Sequence, residues 1–303
     1  WIQHMSKPNL HIAIAILLHR GQVLVGWRDA QQHQGNKHEF PGGKVEDGET
    51  ALEACRREVY EEVGIGLKEW HTFDCIQHEY DDVIVNLHIF HASVADELLN
   101  EIQQPWTWFK RDQLLDLNFP KANKTMLQRL FWPHHIKISD DLAVLEHLAK
   151  NQLLYFRTEA NSEQVIALSN TRIDDLPKLI VNIDVWQKLN SIQQQGVGTI
   201  HLKQSQLMQM RKGQLNTGHR YIAACHDLVS ALHAQAIGCD AILLSPVLPT
   251  ATHTDALPMG WEQFELIAQK MHIPVFALGG MTQEHLVEAQ QHYAYGIAGL
   301  RFL

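Results

Sequence analysis

"GGKVEDGETALEACRREVYEEVGI", Gly42 to Ile65, decides how the first part of this chain folds. Thr50 and Glu53 open a run whose apolar residues Leu52, Val59 and Val63 face a core. A hydroxyl that accepts from the N3 backbone, with an N3 carboxylate reaching back, makes a capping box, so a helix starts here. Gly64 stands where a left-handed C-terminal residue is wanted. Glu58, Glu61 and Glu62 crowd into five consecutive positions. Spacings of three and four set them on one helical face, where like charges destabilise unless a cation offsets them. A solvated acidic face is one reading. The other is a cation site, because hard divalent ions take carboxylate oxygens. Gly42-Gly43 supports the second, as backbone that can approach a ligand closely and offer a carbonyl.

Outward from this helix, "HIAIAILLH" and "QVLVGW" are short β-type runs joined by Arg20-Gly21, a hairpin-like link. A long polar loop to Pro41 follows. Downstream, "HTFDCIQHEY" and "VIVNLHIFHASV" read as strands, and "WTWFKRDQL" leads to a last helix at about Lys124 to Phe131. Strands and helices do not alternate strictly, so this part is α+β. After "WPHH" the pattern changes. Strands are expected at "IKIS", "LLYFR", "LIVNI", "TIHLK", "YIAAC", "AILLS", "PVFALG" and "YGIAGLR". Helical segments such as "DLVSALHAQAIG" and "GWEQFELIAQKM" separate most of them. A run of βα units of this length predicts a compact closed barrel, with a doubly wound open sheet as the alternative. The expected division is a lead-in over 1–10, with a remnant before Met5, a first domain over 11–132 and a barrel over 133–303.

The 303 residues suffice for two ordinary domains, and a 45% hydrophobic content supports a core in each. The net charge of −9 argues against a nucleic-acid polymer or a membrane surface as partner, since both call for a basic face. No apolar run approaches the ~18 residues that span a bilayer. Cys55, Cys75, Cys225 and Cys239 show no paired spacing, so reduced thiols in a cytoplasm are expected. His88/His91 and His134-His135 come without a Cys or carboxylate framework and read as ordinary surface or core histidines.

Gly43, five residues, Glu49, seven residues, Arg57-Glu58-Val59, one residue, Glu61-Glu62, one residue and Gly64-Ile65 fill every fixed position of the Nudix box. The chain is identified on this pattern as a member of the Nudix hydrolase family. The resemblance implies a mixed sheet with flanking helices, a loop–helix–loop site, and Mg²⁺, or alternatively Mn²⁺, as cofactor. It implies metal ligands at Glu58, Glu61 and Glu62 with the Gly42 carbonyl, and a catalytic group of Glu58, Glu61 and Arg57. Glu49 is expected to fix the loop. Within the family, about His11 to Leu130 is similar to the MutT-type 8-oxo-dGTP diphosphatases, on "NKHEFPGGKVEDGET" and "LNFPKAN". That likeness implies a small nucleotide substrate contacted by Arg28, His33, Phe40, Lys44 and Asn123, and a role in clearing oxidised nucleotide before replication. An Asn amide donates and accepts at once, which suits a purine edge; capping the last helix is its bland alternative. Glu101 matches a further metal ligand or base loosely, and "YDDVIV" lacks an Arg that MutT-type enzymes place near the nucleotide.

About His135 to Leu303 resembles thiamine-phosphate synthase and its relative TenI. The carrying residues are Arg157 in "YFR", Asn182 in "VNIDV", "HLKQSQL", His226 in "CHD", Thr250 and Thr252 in "SPVLPTAT", and Gly279-Gly280 in "ALGGM". These imply a ligand site at the barrel mouth. Ile183 and Gln206 stand where the synthase has two Mg²⁺-binding Asp residues, and His253 where it has a Lys. Asp184 is near, but strand alternation points it away from the mouth. Synthase activity is therefore not expected. An inactive or ligand-sensing barrel is the preferred reading, and the alternative is a thiamine-pathway enzyme or sensor whose Nudix half hydrolyses a pyrimidine or thiamine diphosphate.

Overall fold

A computed structural model describes residues 6–32 and 34–302. The chain forms two compact units, Trp1–Phe131 and Trp132–Leu303. The sequence before Met5, and His33, lie outside the described residues.

The first unit is built on β1 (Asn9–His19). Its early residues pair antiparallel with β4 (Gly42–Lys44), and its last two with β2 (Gln22–Arg28). Along its other edge β6 (Ile84–Ser93) runs parallel to it. β2 also takes β3 (Lys37–Glu39) and β7 (Thr107–Lys110), and β6 takes β5 (His71–Glu79), all antiparallel. The sheet is mixed, as expected. The stretch read as a polar loop to Pro41 instead contains β3. Its polar "KHE" gives no alternating signal, and its pairing comes from β2 and from Asn118, whose carbonyl accepts from His38 N at 2.7 Å.

α1 (Ala51–Val63) begins and ends as its sequence dictates. Glu53 N donates to Thr50 Oγ1 at 3.2 Å, and Thr50 N donates to Glu53 Oε2 at 2.7 Å. Gly64 ends it at φ 92°, its N–H turned back to the Val59 and Tyr60 carbonyls. Ala54, Cys55, Val59 and Val63 are buried against β1, Trp70 and Trp106. Each buried Val contributes roughly 1.5–3 kcal/mol. α2 (Lys124–Leu130) closes the unit.

The second unit is a closed barrel of parallel strands. They are β8 (His135–Ser139), β9 (Gln152–Phe156), β10 (Leu179–Asn182), β11 (Thr199–Leu202), β12 (Tyr221–Cys225), β13 (Ala241–Leu244), β14 (Val275–Leu278) and β15 (Gly296–Gly299). Each lies within or against a segment read as a strand, and closure removes the open-sheet alternative. The outer layer holds α3 (Ser162–Ser169), α4 (Ile183–Trp186), α5 (Ser191–Gly196), α6 (Gln204–Gln209), α7 (Leu228–Ile237), α8 (Gly260–Ala268) and α9 (Leu286–Gln291). Inward rows such as Ile136/Ile138, Leu153/Tyr155 and Ala241/Leu243 fill the centre. Trp132, the first residue of the unit, joins that core with no exposure. The Arg220 guanidinium lies 3.9 Å from its ring centroid.

Removing the Thr50 cap with Thr50→Ala is expected to cost the first unit about 1 kcal/mol. Urea unfolding followed by Trp fluorescence checks this, and the barrel's transition should not move.

Candidate active site

Two glycines let β4 approach its neighbours at backbone distance. A Cβ at Gly42 would lie 2.2 Å from the Ala13 carbonyl oxygen of β1, and one at Gly43 would lie 2.3 Å from Glu58 Oε1 of α1. A side chain at Gly42 would push β4 off β1, and one at Gly43 would push Glu58 off β4.

Arg57 organises the carboxylates. Its Nη2 and Nε donate to Glu49 Oε1 and Oε2 at 2.7 and 3.2 Å, a two-pronged pair. Nη1 donates to Glu58 Oε1 at 2.8 Å and Nη2 to the Lys44 carbonyl at 3.1 Å. Glu61 Oε2 is farther, at 3.4 Å from Nη1, and more than half of its side chain is exposed. Glu49 also accepts from Glu46 N at 2.8 Å. It thus fixes the loop, and the Arg57 hydrogen bonds hold its carboxyl below the usual carboxylate range.

Glu62 carries the site's unmet charge. Burial pushes its carboxyl up to about 8, helped by the charge and hydrogen bond of Glu58 and by the charge of Glu39, against a hydrogen bond from the Gly42 backbone. Without a cation, Glu62 keeps its proton beside Glu58. Glu39 is a carboxylate that the sequence reading missed; it ends the short polar strand β3 and belongs to no box position. Its Oε2 accepts from Arg28 Nε at 2.8 Å, which brings Arg28 to the same edge.

Among the described residues no three His, Cys, Asp or Glu side chains converge as a ready metal cage. Glu61 leans toward Arg57 instead of toward Glu58 and Glu62. The donor set still fits a hard divalent ion: carboxylate oxygens, a strand backbone pressed against them, and a Glu62 that requires either a proton or a cation. Glu101 ends a 3-10 turn, exposed, with its carbonyl close to Gly64 at the end of α1.

The nucleotide-side residues gather around "LNFPKAN". Phe40 is buried and stacks on Phe119, centroids 4.7 Å apart. Asn118 N donates to His38 Nδ1 at 3.0 Å, and Asn118 Nδ2 to the Asn36 carbonyl at 2.8 Å, tying this segment to β3. Asn123 is buried yet makes no side-chain cap on α2, so the capping alternative is not what the fold uses. Lys44 is exposed on β4.

At the barrel's C-terminal end, Asn182 and Gln206 form a reciprocal amide pair. Asn182 Nδ2 donates to Gln206 Oε1 at 2.8 Å, and Gln206 Nε2 returns to Asn182 Oδ1 at 3.1 Å. Gln206 Nε2 also reaches Asp184 Oδ2 at 2.9 Å. Asp184 therefore faces this cluster, not away from it, because the chain turns into α4 directly after Asn182 and strand alternation no longer applies. Beneath the pair, His201 Nδ1 accepts from Tyr155 and Asn182, each at 3.1 Å. His226 Nδ1 donates to the Ser245 carbonyl at 2.8 Å. Thr250 Oγ1 accepts from His253 N, and Thr252 is exposed. Gly279 and Gly280, at φ 107° and 67°, let the loop after β14 pack on the one after β13; added Cβ atoms would meet Pro246 Cα at 2.8 Å and the Pro249 carbonyl at 2.7 Å. Their need for glycine is met by packing and backbone angle.

Burial, with the charges of Lys203 and Arg157, lowers the His201 imidazole to about 3. The unfolded chain takes up this proton near 6.5 and the folded chain does not, so stability is lost as pH falls from about 6.5 toward 3, by at most about 1.4 kcal/mol per pH unit. Acid titration of the barrel's unfolding midpoint should show this slope, and His201→Gln should flatten it.

A family profile described as NUDIX domain matches residues 13–129, and one described as Thiamine monophosphate synthase matches residues 149–303. The 8-oxo-dGTP diphosphatase of Escherichia coli (strain K12) is 33% identical over 124 residues, covering 40% of this chain and 96% of that protein. The CTP pyrophosphohydrolase of the same organism is 35% identical over 120 residues, covering 39% of this chain and 89% of that protein. The putative thiamine-phosphate synthase 2 of Aquifex aeolicus (strain VF5) is 42% identical over 77 residues, 25% of this chain. The alignment with it spans only 41% of that relative's length. Box, helix, glycine contacts and barrel closure agree with these matches, and the chain belongs to the Nudix hydrolase family through its first unit and to the thiamine monophosphate synthase and TenI family through its second.

Proposed function

We propose that the first unit is a Mg²⁺-dependent nucleoside triphosphate pyrophosphohydrolase that converts 8-oxo-dGTP to 8-oxo-dGMP and pyrophosphate. Glu58, Glu61 and Glu62, with the Gly42 carbonyl, would hold the metal, and Glu101 would add a further ligand or base. When bound, the divalent ion neutralises phosphate oxygens and lowers the pKa of water. The chain's own residues do the rest. Arg57 fixes Glu58 against Gly43, so this carboxylate is aimed before substrate arrives and can act as general base. Glu61, held only by the long contact to Arg57, is free to swing toward Glu58 and Glu62. Lys44 and Arg28 offer cations to the phosphates from β4 and β2.

The observation that carries the substrate reading is Asn123: a buried amide that caps nothing, on the segment whose Phe119 stacks on Phe40. An aromatic pair and a two-faced amide suit a flat base whose edge both donates and accepts. His33 is proposed as a further contact. The second reading, hydrolysis of a pyrimidine nucleotide, has the CTP pyrophosphohydrolase likeness in its favour.

The test is a turnover panel of 8-oxo-dGTP, dGTP, CTP, ADP-ribose and thiamine diphosphate with Mg²⁺. Preference for 8-oxo-dGTP over dGTP supports the proposal; equal rates, or CTP as best substrate, overturn it. Glu61→Gln should lower kcat about 10³-fold, the scale of losing one charge-stabilising group, with an unchanged circular-dichroism spectrum. Asn123→Ala should cut the 8-oxo-dGTP/dGTP ratio of kcat/KM about tenfold, as one specific hydrogen bond warrants, while leaving dGTP turnover nearly intact.

A further inference from the structure

On the nucleotide side of the first unit, His38 is built in as a neutral ring. It is the central residue of β3, two positions before Phe40. Asn118 N donates to its Nδ1 at 3.0 Å. A backbone N–H can only donate, so Nδ1 must present a lone pair and the ring's one proton sits on Nε2. Two further bonds join the same pieces of chain. His38 N donates to the Asn118 carbonyl at 2.7 Å, and Asn118 Nδ2 donates to the Asn36 carbonyl at 2.8 Å. Asn118 in turn carries the segment that holds the aromatic pair and the buried amide. Phe119 is the next residue and stacks on Phe40, and Asn123 N turns back to the Pro120 carbonyl at 3.0 Å. A shift of Asn118 on β3 therefore moves the ring pair and the amide together.

The surroundings of this imidazole are aromatic. Its ring centroid lies 4.9 Å from that of Trp27 on β2, 6.1 Å from Phe109 on β7 and 5.8 Å from Phe119. Residues 117–120, Leu-Asn-Phe-Pro, hold no titratable group. Alternation within β3 puts Lys37 and Glu39 on the other face. There Lys37 Nζ donates to Gln34 at 2.7 Å, and Glu39 accepts from Arg28 at 2.8 Å. Lys110, beside Phe109 on β7, is turned from the Phe109 face in the same way. Burial holds the His38 imidazole below its ordinary value, outweighing an interaction with the Asn118 backbone that favours the charged ring. On protonation, Nδ1–H and Asn118 N–H would confront each other as two donors. The nearby Asn118 carbonyl already accepts from His38 N. The unfolded chain takes up this proton near 6.5 and the folded ring only at lower pH. The tie is thus whole above 6.5 and is lost as pH falls through the folded value.

The geometry points to His38 as a positioning residue for base recognition: its neutral imidazole holds the Asn118–Asn123 segment on β3, and nucleotide affinity falls when that ring is protonated. The role in affinity rests on the proposed reading of this segment as the base-recognition element. The hydrogen-bonded tie between His38 and Asn118 does not, so the two can be tested apart.

The test compares the full parent chain with two variants. In His38→Asn, Oδ1 hangs from Cγ as Nδ1 does and accepts without titrating; His38→Leu fills similar space with no acceptor. KM and kcat are measured from about pH 8 to about pH 5 with whichever nucleotide the turnover panel finds best. Amide exchange across residues 117–123 is followed by mass spectrometry at the same pH values, without substrate. Comparing parent with His38→Asn at each pH cancels the titration of the metal-binding carboxylates. The expected result is a parent KM that rises about tenfold relative to His38→Asn on acidification, the scale of one lost hydrogen bond, with the kcat ratio unchanged. His38→Leu should show the raised KM already at the alkaline end. Exchange in the parent should quicken at acid pH relative to His38→Asn. Identical KM profiles for parent and His38→Asn overturn the proposal, as does a parent-like KM for His38→Leu. Identical exchange in parent and His38→Asn at every pH overturns the tie itself. Quickened exchange with an unmoved KM ratio overturns instead the reading of the segment as the base-recognition element, and the exchange result stands even if no nucleotide in the panel is turned over.

Discussion

The first unit depends on one guanidinium. Arg57 reaches the loop before α1 through Glu49, the strand before that loop through the Lys44 carbonyl, and its own helix through Glu58. Three pieces of chain are thereby held at fixed spacing. A planar fork of five donors can do this; an ammonium in the same place would bind one acceptor at a time. The clamp leaves Glu62 without a cation of its own, and burial beside Glu58 raises its hold on a proton. A strong fixed cation thus sits next to an unfilled demand for a second one.

The two units handle charge in opposite ways. In the first, carboxylates are concentrated and the compensating cation must come from outside. In the second, the amides of Asn182 and Gln206 satisfy one another, with the single Asp184 carboxylate bound to Gln206. A reciprocal amide pair costs little to bury because every donor and acceptor in it is used. It also locks the mouth: moving Gln206 toward a ligand would strip Asn182, Asp184 and Lys203 N of partners at once. In the Tyr155–His201 stack beneath, burial holds His201 neutral.

Much of this was legible in the sequence. The capping box, Gly64 and the burial of Val59 and Val63 follow from residue type and helical spacing alone. The eight barrel strands follow from β-branched and aromatic runs at regular spacing. Other features were not legible, for physical reasons. β3 is polar and paired by tertiary contacts, so no periodicity announces it. Glu39 acts on Glu62 through space from another strand. Asp184 was aimed the wrong way because an alternation rule was carried two residues past the strand's end. The Asn182–Gln206 pair joins the end of β10 to α6; the sequence shows only that two acids are missing, at Ile183 and Gln206, not that Gln206 bonds Asn182. Asn123's lack of a cap is a matter of its own backbone angles, φ −87° and ψ −3°, which are helical and not those of a capping residue.

Trp132 has a consequence for how such a chain can be divided. Phe131 ends α2 of the first unit with its N–H on the Leu127 carbonyl, and the very next side chain is sealed in the barrel. The junction contains no spacer residue that belongs to neither unit. A gene cut one codon late would leave the barrel with a Trp-sized void at its base, of a kind that typically costs 3–5 kcal/mol. The last covalent step out of one fold is the first packing step into the other.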